Sequence, residues 1–129
     1  MHAFIIEDDY LISRSIQDML SDLGFTAFSF ARSEDAAVAG ATDERFDLIT
    51  ADVRLLPGDG VRAVEAIHAA RSTPLIFITG YADELRDRLG DRLPPAPIVQ
   101  KPIKAAELEA AVRQVLPVLQ LPANPTPGT

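Results

Sequence analysis

The chain has 129 residues, 47% of them hydrophobic and 24% charged, the balance of one globular domain that can bury a core without staples. It contains no cysteine, which excludes a disulfide framework, a thiolate metal site and a cysteine nucleophile. Its net charge of −7 would repel a nucleic-acid backbone, and no basic run offsets this: Arg86, Arg88 and Arg92 alternate with Asp87 and Asp91.

Taken in order, short apolar runs alternate with amphipathic stretches. Ala3 to Ile6 is continuously apolar and predicts a strand. It has no basic region ahead of it and meets acid at Glu7, which argues against a signal peptide. No apolar run approaches the ~18 residues of a membrane span. The expected location is cytoplasmic, with no membrane and no nucleic acid as partner. Tyr10 to Leu23 places Leu11, Ile12, Ile16, Met19, Leu20 and Leu23 at helical spacing, and Gly24 follows as a left-handed cap. Thr26 to Phe30 alternates like a strand. Ser33 is placed to cap a helix running to about Ala41.

Phe46 to Ala51 predicts the third strand, ending at Asp52. Pro57-Gly58-Asp59-Gly60 is a turn cluster, followed by a helix over Val61 to Ala70 with its stripe at Val61, Val64 and Ile67. Pro74 to Thr79 predicts a fully apolar fourth strand. Ala82 to Leu89 reads as a charge-rich helix, and Pro97 to Val99 as a short fifth strand. Ala105 to Leu119 predicts the last helix, buried along Leu108, Ala111, Val112, Val115 and Leu116, with Pro117 ending or kinking it. Strands alternating with helices imply a parallel sheet covered on both faces. Five such units fit the α/β flavodoxin-like (βα)5 fold, with strand order 2-1-3-4-5. Residues 1–119 are expected to form the domain and residues 120–129 a disordered Pro-rich tail.

Ligands of open parallel sheets bind beyond the carboxyl ends of the strands. There the sequence places Glu7, Asp8 and Asp9 after the first strand, Asp52 after the third, Thr79 at the end of the fourth, and Lys101-Pro102 after the fifth. A phosphate-cradling loop would be Gly-rich and acid-free. This rim is the reverse. Carboxylates about 4 Å apart repel by ~1 to 4 kcal/mol per pair, and a hard divalent cation removes that repulsion. Mg²⁺ (or Mn²⁺) held by Glu7, Asp8 and Asp52 matches such a ligand set. A carboxylate beside Mg²⁺ can attack phosphorus, with Lys101 and the Thr79 hydroxyl neutralising phosphoryl oxygens. Asp52, alone at the end of a buried strand, is the expected nucleophile. Each piece alone has a plainer explanation. An acidic run after a strand also describes a solvated helix N-terminus, and a single Asp also describes a turn or cap. Specificity comes from the pieces falling at the ends of strands 1, 3, 4 and 5 in order.

Phe4-Ile5-Ile6-Glu7-Asp8-Asp9, Leu48-Ile49-Thr50-Ala51-Asp52, Phe77-Ile78-Thr79-Gly80 and Gln100-Lys101-Pro102 together resemble the receiver domain of bacterial two-component response regulators, over about Ala3 to Leu116. The resemblance implies that Asp52 is the phosphoacceptor, Thr79 the switch hydroxyl and Lys101 the phosphate-binding lysine. It also implies that Asp8 and Asp52 contact Mg²⁺ directly, with Glu7 completing the acidic pair and the Arg54 backbone carbonyl as a further ligand. Asp9 falls outside the site. Three departures stand out: Ile98 occupies the position of the usual switch aromatic, the loop proline comes one residue late at Pro57, and the helix between Gly60 and Pro74 is short. Pro74 to Tyr81 also resembles the "FATGUY" subgroup, with Leu75 and Ile78 where that motif has Phe and Ala. This implies a kinase of the HWE/HisKA2 type, and it makes Tyr81 either a substitute switch element or a packed loop residue.

The expected function is that of a stand-alone, non-enzymatic response regulator receiver. It would take a phosphoryl group from a histidine kinase or histidine phosphotransfer protein and signal by contact with a downstream protein target. A phosphate sink and a phosphorelay intermediate are both compatible roles. The alternative is a phosphorylation-independent adaptor on the same scaffold, against which the complete set of acidic and lysine positions argues. An Asp-nucleophile hydrolase would want an acid two residues after Asp52, where Arg54 stands.

Overall fold

The computed structural model describes residues 1–117. Five strands alternate with five helices: β1 His2–Ile6, α1 Tyr10–Asp22, β2 Ala27–Ala31, α2 Glu34–Asp43, β3 Leu48–Ala51, α3 Gly60–Ala70, β4 Leu75–Thr79, α4 Ala82–Leu89, β5 Ile98–Gln100 and α5 Ala105–Val115. All the strand pairs are parallel, and the order is β2-β1-β3-β4-β5, as expected.

Because side chains alternate across a strand, neighbouring residues of β1 feed two different cores. Ala3 and Ile5 join Ile16, Leu20, Leu108 and Val112 under α1 and α5. Phe4 and Ile6 join Ala37, Val61, Val64 and Leu85 under α2, α3 and α4. Each fully buried Ile, Leu or Phe contributes ~1.5 to 3 kcal/mol, so this double core is the main source of stability.

Local signals set most boundaries. Ser33 Oγ accepts from the Ala36 N–H at 3.2 Å and starts α2. Gly24, at φ 102°, takes the left-handed position after α1. Leu11 is 75% exposed although it shares the helical spacing of α1, since a 3.6-residue period tolerates an apolar residue at the margin of the face. Two expectations are corrected. β5 begins at Ile98 because Pro97 has no N–H to enter the ladder; its carbonyl still accepts from Phe77 N at 3.0 Å. α5 ends at Val115, ahead of Pro117. The expected extension of α5 to Leu119 and the expected tail at 120–129 lie outside the described residues. Among the described residues, no helix is long and apolar enough to cross a membrane.

Candidate functional site

The sheet ladder brings the strand-end residues together by extending one bond past each strand. Glu7 N donates to Ala31 O at 2.9 Å, Asp52 N to Ile6 O at 3.0 Å, and Lys101 N to Thr79 O at 2.9 Å. Glu7 and Asp52 therefore stand side by side on the rim. Oxygens of Glu7, Asp8 and Asp52 lie within 4.8 Å of one another. Glu7 and Asp52 are buried, whereas Asp8 is half-buried and open to solvent.

On the other side of this acidic trio lies the half-buried Lys101. Its Nζ donates to Glu7 Oε1 and to Asp52 Oδ2, at 2.8 Å each. Burial alone would lower the ammonium's pKa, but hydrogen bonds and charge from Asp52 and Glu7 outweigh it and hold the group above its ordinary 10.5. Lys101 thus stays charged. Burial pushes the Glu7 carboxyl from its ordinary 4.5 up to about 7. The hydrogen bonds from Lys101 and the Asp9 N–H oppose that rise, and the charge of Asp52 adds to it. Glu7 is consequently the carboxyl that takes up a proton as pH falls.

The run Glu7-Asp8-Asp9 divides its work. Asp9 Oδ1 accepts from Ile12 N at 3.1 Å and N-caps α1, and the Asp9 N–H donates to Glu7 Oε2 at 3.1 Å. The helix-start reading is therefore correct for Asp9, while Glu7 and Asp8 are turned to the cluster. Thr79 is fully buried, and its Oγ1 accepts from the Tyr81 N–H at 3.0 Å. Arg54, two residues beyond Asp52, lays its guanidinium 3.6 Å from the centre of the Tyr81 ring and pairs with Glu84 Oε2 at 3.1 Å.

Two residues here have functions that the turn cluster alone did not reveal. Asp59 Oδ1 caps α3 by accepting from Val61 N at 2.8 Å and Arg62 N at 3.1 Å, and Asp59 Oδ2 pairs with Arg88 at 2.8 Å. An Asp ahead of an apolar helical stripe is a cap signal that could have found the first role; nothing local predicts the second. Gly60 starts α3 against the backbone of Asp52. A Cβ there would sit 1.7 Å from the Asp52 carbonyl oxygen.

The donor set fits a hard divalent cation: three carboxylates converge from two adjacent loops, with a fixed ammonium already neutralising one flank. Glu7, Asp8 and Asp52 would hold Mg²⁺, while Lys101 is bonded to two of the same carboxylates, Glu7 and Asp52.

A family model of the response regulator receiver domain matches residues 3–113. The chain belongs to the response regulator receiver family. The phyllosphere-induced regulator PhyR of Methylorubrum extorquens is 35% identical over 114 residues, which are 87% of this chain and 42% of that protein. The transcriptional regulatory protein CrdR of Helicobacter pylori is 31% identical over 86% of this chain and 53% of its own length. The chain thus spans about half the length of these two relatives. The solution structure of the PhyR receiver domain from Erythrobacter litoralis superposes with a TM-score of 0.81 at 32% identity, covering 97% of this chain and 94% of that one. The receiver domain of the sensor histidine kinase PA1611 from Pseudomonas aeruginosa, solved with a magnesium ion in its active-site cleft, gives a TM-score of 0.77 at 27% identity, covering 88% of this chain and 95% of that one. Receiver domains of this family are signalling phosphoacceptors that histidine kinases phosphorylate.

Proposed function

We propose that this chain accepts a phosphoryl group on Asp52 from a phosphohistidine on a histidine kinase or histidine phosphotransfer protein, and signals through a protein contact. The observation that carries the reading is the Lys101 ammonium at 2.8 Å from Asp52, beside the cluster of Glu7, Asp8 and Asp52. A carboxylate held between a cation site and a fixed ammonium is positioned and shielded from repelling a phosphoryl dianion.

In the transfer, an Asp52 oxygen bonds to phosphorus as the P–N bond breaks, and its electron pair returns to the donor imidazole. Lys101 holds Asp52 in place through its 2.8 Å hydrogen bond, and offers a donor to a phosphoryl oxygen. The Thr79 hydroxyl, whose oxygen accepts from the Tyr81 N–H, has its own proton to donate to another. Glu7, Asp8 and Asp52, with the Arg54 backbone carbonyl, would hold Mg²⁺, which would supply charge neutralisation for the transferred group. The exposed large apolar side chains Tyr10, Leu11, Leu56 and Tyr81 stand on segments that leave the same rim, which supports a protein rather than a small molecule as the usual donor.

The partial match of Pro74 to Tyr81 to the "FATGUY" motif favours a donor of the HWE/HisKA2 type. A sink and a relay intermediate both follow from the same chemistry. Beryllofluoride with Mg²⁺ should shift the amide resonances of Thr79, Tyr81 and Lys101 in the wild type and leave Asp52→Asn unchanged. An equal shift in Asp52→Asn, or none in the wild type, removes the basis of the reading. Phosphotransfer profiling against candidate kinases then identifies the donor.

A further inference from the structure

Helix α4 begins next to the site without a side-chain cap. Its N-cap residue, Tyr81, makes no capping bond. The residue three positions on, Glu84, stands where a capping box would send a Glu carboxylate back to the N-cap N–H. In this structure both halves of that contact are engaged elsewhere. The Tyr81 N–H donates to Thr79 Oγ1 at 3.0 Å, and Glu84 Oε2 accepts from Arg54 at 3.1 Å. Arg54 in turn lies on the Tyr81 ring, 3.6 Å from its centre. Two donors and two acceptors are paired crosswise between the ends of β3 and β4 and the first turn of α4.

We infer that phosphorylation of Asp52 exchanges these partners, transferring Glu84 from the Arg54 guanidinium to the Tyr81 N–H and so rebuilding the start of α4. The inference rests on the phosphoacceptor reading above. A phosphoryl group adds close to two negative charges and strong acceptor oxygens two residues from Arg54. Arg54 follows Asp52 by two residues, past a bend at Val53, and its long side chain is held by the exposed pair with Glu84 and by the Tyr81 ring. The pair it must break is weak, because Arg54 and Glu84 are 57% and 56% exposed. As the Thr79 side chain moves to set its O–H on a phosphoryl oxygen, its Oγ1 is carried away from the Tyr81 N–H. That N–H then faces a freed Glu84 in capping-box position. The hydrogen bonds balance in the exchange, at the loss of the Arg54 contact with the Tyr81 ring: phosphoryl oxygens take Arg54 and Thr79, and Glu84 takes Tyr81. Ile98 has no ring to carry a signal through Thr79, whereas this route needs none.

α4 is also tied down by Arg88 to Asp59 at 2.8 Å and through Arg92 to Glu65. These pairs involve neither Tyr81 nor Glu84 and serve as internal controls. The test is amide hydrogen exchange of the full chain with and without beryllofluoride and Mg²⁺, with binding at Asp52 read separately by fluorine NMR. In the wild type the Tyr81 amide should stay protected on activation. In Glu84→Ala it should exchange about tenfold faster in the activated state only. Glu84→Gln should restore protection, because an amide oxygen can also cap. Arg88→Gln should raise α4 exchange in both states about two- to fivefold and leave Tyr81 protected. Beryllofluoride binding with equal Tyr81 protection in Glu84→Ala and wild type overturns the exchange while sparing the phosphoacceptor reading. Absence of beryllofluoride binding at Asp52 overturns both.

Discussion

Replacing Lys101 by Met tests the electrostatic core of the site. In the wild type one ammonium, 2.8 Å from each of two carboxylates, is held with side-chain exposures of 18% for Lys101, 2% for Glu7 and 8% for Asp52. At an effective dielectric near 20, each contact corresponds to ~6 kcal/mol of gross attraction, most of it offset by desolvation. Removing one partner of a buried pair costs about 3 to 5 kcal/mol when the other charge must remain. Here it need not remain, because a proton can replace the ammonium at Glu7, whose carboxyl already sits at about 7. With the lowering influence of Lys101 gone, that value rises further.

The sign follows from linkage. A carboxyl raised above its unfolded 4.5 contributes stability that is lost as pH rises toward the folded value. For the wild type this loss ends near pH 7. For Lys101→Met it continues above pH 7, at ~1.4 kcal/mol per pH unit. The variant should therefore be less stable than wild type by about 2 kcal/mol at pH 6.5 and by about 4 kcal/mol at pH 8.5. Urea unfolding followed by circular dichroism in metal-free buffer measures the difference at each pH. The double variant Glu7→Gln, Lys101→Met should lose the pH dependence. A destabilisation of Lys101→Met that is the same at both pH values refutes the reasoning, because Lys101 would then not be what holds Glu7 ionised.

Three further outcomes follow from the same geometry. Mg²⁺ affinity, measured by calorimetry, should fall up to about tenfold per pH unit below pH 7, because the metal competes with the Glu7 proton; Glu7→Gln should bind more weakly and flatten that dependence. Gly60→Ala forces a methyl into the Asp52 carbonyl, and should cost about 3 kcal/mol in thermal unfolding while weakening Mg²⁺ binding. A Gly60→Ala protein that binds Mg²⁺ normally would show that α3 can withdraw without disturbing the site. Thr50→Val removes a buried hydroxyl that lacks a hydrogen-bond partner, and should raise stability by about 1 kcal/mol, or the melting temperature by about 4 °C. A loss of stability in Thr50→Val would mean that an ordered water satisfies that hydroxyl.

The sequence by itself determined the element order, the sheet topology and the identity of the rim residues. Apolar runs and helical stripes are local signals, and a parallel sheet delivers whatever follows its strands to one edge. Thus Glu7, Asp8, Asp52, Thr79 and Lys101 could be named before any coordinate was known. The resemblance already left Asp9 outside the site, and the structure supplied its role, capping α1. Only the tertiary structure decided how these groups are paired. That one ammonium bridges residues 94 and 49 positions away, that Gly60 is needed against the Asp52 carbonyl, and that Arg54 stacks on Tyr81 while holding Glu84 are all matters of approach between distant segments. No periodicity encodes such contacts. They arise when burial and ladder bonding bring side chains of unrelated sequence position to within hydrogen-bond distance, where the low local dielectric makes each pairing count.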